Sequence, residues 1–331
     1  MAESDTLVLG LENGSSLAWS APERYEQDLE KLARADGHHL YLVVVGPKLT
    51  PTALDALPHS SGWKLSMTYG AADGLKLCTI TVPESALPGR KLSFDEVGRV
   101  LTLSPTTADG AQGRKITVAE VVRAALEVGP EKLEWTGGTA SELFAFRVAY
   151  IGQSYGKEGS SKALQRLSRG HETVDKILSD TQDYSPDSAV GFITIDQHPM
   201  SVSASIGTNQ DSNVQEAAGK IAAERFKDIL LGTLSKETVD AAEAALITAF
   251  QPEWNILLKD FTQKERPALM KRLRDGGYTH LQIHIDLKDA HAMVKGPNGK
   301  LSDHHTWTFN LQTGALEDVG RGSWRRPNTM Y

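Results

Sequence analysis

Phe146-Arg-Val-Ala-Tyr-Ile-Gly-Gln-Ser-Tyr-Gly-Lys-Glu-Gly159 joins two different kinds of chain. Residues 144–151 are apolar and β-prone and predict a buried strand. The second half, rich in glycine and polar residues, predicts a loop. Tyr150 stands at the strand end, where a hydroxyl reaches the sheet edge, and Gly152 permits close approach by backbone or phosphate. Residues 160–167 follow with Ala163, Leu164 and Leu167 at helical spacing, and this predicted helix carries Arg166. A second helix is expected from about Glu172, with Val174, Ile177 and Leu178 inward and His171 just before it.

Working outward, the pattern divides the chain into two parts. The first, residues 1–115, reads as an N-terminal α/β or α+β domain. Strands are expected at 6–10, 40–45, 63–68 and 75–82, and a helix at 22–35. Breaks are expected at 50–58 and 83–89. Residues 106–113 are poor in apolar side chains and read as the linker. The second part, residues 116–331, has helical spacing at 118–128, 214–231 and 236–250, the last stopped by Pro252. Further strands are expected at 131–135, 189–195, 281–287 and 306–311.

The residues able to do chemistry lie in the second part. A guanidinium such as that of Arg166 offers a planar fork of donors matched to two phosphate oxygens. Lys157 adds a second positive point in the loop, and His171 can act as base or donor near neutral pH. Glu243 sits in the alanine-rich stretch Val239-Asp-Ala-Ala-Glu-Ala-Ala-Leu-Ile-Thr-Ala-Phe250. An unpaired carboxylate is costly to bury there. A divalent cation would neutralise it, and Mg²⁺ is commonly held by one or two carboxylates plus waters and phosphates. Asn255 follows in Pro252-Glu-Trp-Asn255, with an amide able to hold backbone or phosphate.

Taken in order, a strand ending in Tyr-Ile-Gly, a basic loop, a helical arginine, a histidine, and Glu-Ala-x-Leu-Ile-x-x-Phe-x-Pro-x-x-Asn from Glu243 to Asn255 resemble the GIY-YIG nuclease family over residues 130–258. The resemblance implies an α/β fold with a small mixed or antiparallel sheet flanked by helices. It also implies a metal-dependent endonuclease, with DNA the expected substrate and Mg²⁺ or Mn²⁺ as cofactor. Tyr150 would help activate water, Arg166 would clamp phosphate, Glu243 would hold the metal, and His171, Lys157 and Asn255 would assist. Tyr150, Arg166 and Glu243 are then expected to converge on one face of the sheet. The family's first tyrosine strand is expected at 132–135, where Trp135 stands in the tyrosine's place. Tyr150 or Tyr155 would take over that duty, or the domain is a degenerate nucleic-acid or protein binding module.

Composition narrows the field further. The chain has 331 residues, a formal net charge of −7 and one cysteine, Cys78. This excludes an internal disulfide framework and a cysteine-rich zinc site. No apolar run approaches a membrane span, so no membrane partner is expected and a cytoplasmic protein is. An acidic total still permits local basic surfaces, of which 259–274 is the clearest, with Trp324-Arg-Arg326 a second. A protein partner is allowed for the N-terminal part, which is expected to select the target. His38, His39, His280, His284, His291, His304 and His305 read as ordinary surface histidines, with His284 and Asp286 sharing one strand face.

Overall fold

The computed structural model describes residues 6–20, 39–58, 62–71, 73–106, 113–129, 133–154, 171–185, 187–205, 220, 236–256, 271, 274–275, 278–288, 290–296 and 299–317. The protein is a mixed α/β molecule rich in strands. Nine strands form the main sheet: β1 (Thr6–Ser20), β2 (Leu40–Pro47), β10 (Ala145–Gln153), β11 (Ser188–Ser205), β12 (His280–Asp286), β13 (Met293–Lys295), β14 (Leu301–Ser302), β15 (His304–Asn310) and β16 (Leu316–Glu317). Their order is β14-β13-β10-β2-β11-β1-β12-β15-β16. The β1–β12 and β10–β13 pairs are parallel and the others antiparallel.

Strand β2 explains how this sheet is packed. Its first five residues, Leu40 to Val44, are all buried, which requires cover on both faces because successive side chains alternate. One cover is a helix at Lys236–Phe250, whose Val239, Ala242 and Leu246 meet Leu40, Leu42 and Ile151 in one core. Alanines on that helix let it lie close to the strands. The opposite cover is a helix at Glu172–Tyr184, which presses Val174 and Ile177 onto Tyr41, Val43 and Phe192.

Residues 49–144 build a second unit with its own core. β3 (Leu49–Ala56), β4 (Gly62–Ala71), β5 (Gly74–Pro83) and β9 (Trp135–Thr136) form one sheet. β6 (Arg90–Asp95), β7 (Val100–Pro105) and β8 (Arg114–Ile116) form another. Helix α1 (Val118–Val128) closes this core with Val118, Val121, Val122, Ala125 and Leu126 buried. It opens on a capping box: the Glu120 amide donates to Thr117 Oγ1 at 3.2 Å, and the Thr117 amide donates to Glu120 Oε2 at 2.7 Å. The helices at Glu172–Tyr184 and Lys236–Phe250 are α2 and α3 below.

Strand pairing and packing both cross the boundary expected at residue 115. β1 and β2 pair with strands from the second half of the chain, while the unit at 49–144 has a core running from Leu65 to Phe144 and straddling that boundary. The first strands thus belong to the main sheet, and the second unit is inserted between β2 and β10. The main sheet is also larger than the small sheet expected. The break expected at 50–58 is largely β3. The helices expected at 22–35, 160–167 and 214–231, most of the linker at 106–113, most of the basic stretch at 259–274 and the Trp324-Arg-Arg326 tail lie outside the described residues. Among the described residues, no helix is long and apolar enough to cross a membrane.

Candidate functional site

The C-terminal end of β10 gathers the chemistry-bearing residues, and a β-bulge decides how. β10 pairs antiparallel with β2, with Val148 opposite Val44 and Tyr150 opposite Val43, and the register shifts between them. Ala149 is the extra residue. Without it, Tyr150 would share the face of Val148, toward α3. The bulge turns Ala149 and Tyr150 toward α2 and returns Ile151 to the α3 side, which matches the cores these residues join.

On the α2 side an aromatic row results. Tyr41 lies opposite Gly152, and its ring centroid is 6.2 Å from that of Tyr150. The Tyr150 ring is in turn 5.5 Å from His171. His171 occupies the position before α2 and its carbonyl accepts the Asp175 amide at 2.8 Å. Tyr41 is fully buried, whereas Tyr150 and His171 are half-buried. Gly152 makes the row possible: a Cβ there would stand 2.5 Å from the Tyr41 hydroxyl and 2.8 Å from Tyr150 Cε1. Here the glycine accommodates two tyrosine rings.

On the α3 side stands a polar trio. Gln153 Nε2 donates to Asp240 Oδ1 and to Glu243 Oε2, each at 2.8 Å. Asp240 and Glu243 are one helical turn apart, so their carboxylates leave α3 on one side.

The outer edge of β10 is braced and covered by the segment after α3. Asn255, 7 % exposed, donates from Nδ2 to the Ile151 carbonyl and accepts the Ile151 amide on Oδ1, both at 2.8 Å. The Trp254 amide donates to the Ala149 carbonyl at 3.1 Å. Arg147 and Glu253 pair at 2.9 Å on the surface. At the strand's end the Ser154 amide donates to the His39 carbonyl at 2.7 Å, and His39 Nδ1 lies 3.1 Å from the Ser154 carbonyl. His39 therefore ties off the β2–β10 pair instead of standing in a free turn.

Tyr150 and His171 are brought together, and Asn255 holds backbone. Glu243 and Tyr150 both flank the Ile151–Gln153 end of β10, but from opposite faces of the sheet. The expectation of a single shared face does not hold for this pair, because the bulge reverses Tyr150 relative to its neighbours. Lys157, Arg166 and Tyr155 lie outside the described residues. Trp135 is in β9 of the inserted unit, paired with Ile80, and is not the neighbour of Tyr150. Sequence reasoning missed three residues at this strand end. Tyr41 sat in a strand of the expected type but about a hundred residues from its partner. Gln153 was signalled by its two-residue spacing from Ile151, and Asp240 by its three-residue spacing from Glu243.

The donor chemistry suits a hard divalent cation. Two carboxylate oxygens, from Asp240 and Glu243, converge on one point, now held by the Gln153 amide nitrogen. Mg²⁺ and Mn²⁺ favour such oxygen donors and keep several waters. Among the described residues, no group of three or more His, Cys, Asp or Glu gathers as a metal site.

His304 is exposed, as expected of a surface histidine, whereas His284 in β12 and His305 in β15 are partly buried. His284 Nδ1 lies 2.9 Å from Thr306 Oγ1 and its Nε2 lies 3.0 Å from Gln282 Oε1. Burial, with a smaller contribution from His304, pushes the His284 imidazole down from 6.5 to about 4. His305 stacks on Trp307 at 5.2 Å, and burial also lowers its pKa.

No family model, curated protein or solved structure matches the chain.

Proposed function

We propose that this protein is a metal-dependent phosphodiesterase that cleaves nucleic acid, DNA foremost, at the C-terminal end of β10, with the GIY-YIG arrangement interrupted by an inserted unit. One observation carries the reading. β2 brings a tyrosine, Tyr41, alongside the Tyr-Ile-Gly strand and next to Tyr150, and in this reading Tyr41 stands for the family's first tyrosine. Glu243, with Asp240 beside it, would hold Mg²⁺ or Mn²⁺. When bound, the ion supplies a Lewis acid that neutralises phosphate charge and acidifies water.

The chain's own residues divide the remaining work. Tyr150 orients the attacking water through its hydroxyl. Tyr41, being buried, acts behind it as a positioning residue. His171, 5.5 Å from the Tyr150 ring, takes or gives the proton near neutral pH. Arg166 and Lys157 stabilise the extra charge that phosphate gains on attack. Asn255 spends its amide on Ile151 and so fixes the strand instead of touching the phosphate.

The test is cleavage of plasmid, single-stranded DNA and RNA with and without Mg²⁺ or Mn²⁺. Glu243→Gln should fold and cut at least a hundredfold more slowly, as removal of several kcal/mol of charge stabilisation requires. A pure Glu243→Gln protein that cuts at the wild-type rate overturns the assignment.

A second reading has its own support. Glu243 and Tyr150 occupy opposite faces, and the Glu243 carboxylate is already hydrogen-bonded by Gln153. A catalytically degenerate module that binds nucleic acid or a protein without cutting would need no closer approach of the two. Metal-dependent turnover that disappears in Arg166→Ala rules this reading out.

A further inference from the structure

Trp254 stands beside the aromatic row and has no role in the chemistry above. It packs with Tyr150 against the same cluster of Val43, Ala149 and Val174. Its backbone is fixed twice, by its own amide on the Ala149 carbonyl at 3.1 Å and by the Asn255 clamp one residue later. The indole remains half-buried, with part of its surface open to solvent. Over its ring, 5.2 Å from the centroid, lies the ammonium of Lys176 from α2, and Lys176 is exposed.

We propose that Trp254 is a base-stacking platform that holds an unpaired nucleotide of the substrate next to Tyr150 and His171. The inference rests on the nucleic-acid reading and names the form of substrate: a single strand or a frayed end, whose bases are free to stack. The Trp254 backbone is fixed by its own amide and by the Asn255 side chain that follows, and the indole packs against the Val43, Ala149 and Val174 cluster, so little ordering is needed when a base arrives. Lys176 occupies the ring face only weakly. An exposed cation–π contact holds by a factor of about two to five, whereas base–aromatic stacking holds by a factor of about five to a hundred. A base therefore displaces the ammonium.

Local charge decides between stacking and phosphate capture. Glu172 and Asp175 lie in the first turn of α2, and Glu253 precedes Trp254, where it pairs with Arg147. These carboxylates offset Lys176 and Arg147, so this patch offers no excess of positive charge for a phosphate backbone. The contribution of Trp254 should accordingly be insensitive to salt, in contrast to binding driven by counterion release.

Fluorescence anisotropy in metal-free buffer tests this, using a labelled single-stranded oligonucleotide and a blunt hairpin duplex at low and high salt. Trp254→Leu keeps an apolar side chain against Val174 but removes the aromatic face. It should weaken single-strand binding about tenfold, by the same factor at both salt concentrations, with the duplex unchanged. Trp254→Phe, which restores a ring, should recover most of the loss, and equal thermal midpoints of the Leu and Phe variants exclude a purely structural role of the side chain. If the wild type binds the single strand and Trp254→Leu binds it equally well, the platform is refuted and the phosphodiesterase reading survives. A wild type that binds neither nucleic acid overturns the platform as well, and the cleavage assay with added metal then judges the phosphodiesterase reading separately.

Discussion

Removing the Asn255 amide should loosen β10 at the point where the aromatic row and the polar trio meet. The amide makes two 2.8 Å bonds to one residue, the Ile151 N–H and C=O, at a site 7 % exposed. In Asn255→Ala both backbone groups lose their partner in a place water reaches poorly. Each buried group left unpaired costs about 1–3 kcal/mol, so the pair costs about 2–6 kcal/mol of a total stability on the order of 5–15 kcal/mol. Asn255→Asp should be no milder. Its carboxylate still accepts the Ile151 N–H, but it offers the Ile151 carbonyl an oxygen where that oxygen needs a donor. Urea denaturation measures the loss, a fall in the midpoint of roughly 1–3 M at a slope of about 2 kcal/mol/M. Amide exchange at Ile151 locates it. A midpoint unchanged in Asn255→Ala, with Ile151 exchanging at the wild-type rate, would refute the claim that this amide braces the strand.

Gly152→Ala should destabilise by about 1–3 kcal/mol through overpacking, since the new methyl falls 2.5 Å from Tyr41. Tyr41→Leu in the same chain should relieve part of that cost, and thermal melts of the two singles and the double check the coupling. His284 is neutral when folded because burial lowers its imidazole to about 4, so the unfolded chain takes up the proton first as acid is added. Its contribution is complete above about pH 6.5 and lost as pH falls toward 4, about 2 kcal/mol after discounting for partial exposure. His284→Gln should flatten that part of the stability–pH curve, and an unchanged slope would count against it. Cys78 is fully buried and its thiol is pushed up to about 11, chiefly by burial. Native protein should leave it unreactive toward a disulfide reagent at pH 8, and full reaction before unfolding would contradict that burial.

Local periodicity made the helices legible. Val118, Val121, Val122 and Ala125 repeat at helical spacing, and α1 spans the residues so marked. Val174 and Ile177 face inward from α2 as their spacing implied. The alternation Leu281, Ile283, Ile285 likewise foretold β12, with His284 and Asp286 on its other face. What failed depended on features without a local signal. Pro51 made β3 read as a break, yet the strand shifts register between Pro51 and Ala53, where a proline is tolerated. β1, expected to end at Gly10, runs on through Asn13 and Gly14 to Ser20 and changes register after Ser15. The bulge at Ala149 leaves no mark in the sequence, although one extra residue determines which face Tyr150 occupies. The burial of His284 and His305 comes from cross-strand neighbours that a linear reading does not align.

The position of the inserted unit explains why Tyr41 was invisible and how its pairing is still feasible. β2 and β10 are direct neighbours, yet about a hundred residues separate them. If that stretch were a flexible loop, closing it would cost about 4 kcal/mol more than an idealised single-residue closure, since the penalty grows as (3/2)RT ln n. A folded insert removes most of that penalty by presenting its two ends side by side. The contacts at its base fit this: a Cβ on Gly46 would stand 2.3 Å from Phe146 Cδ1 and 3.1 Å from the Ala145 carbonyl, and Phe146 packs against both cores. The capped helix α1 and the hairpins β3–β4–β5 and β6–β7 are built from contacts near in sequence. They can form before the main sheet, whose neighbouring strands are separated by long stretches of chain. The insert then acts as a preformed turn joining β2 to β10. On this account the separation between Tyr41 and Tyr150 in sequence is large, while the entropic distance between them is that of a short connection.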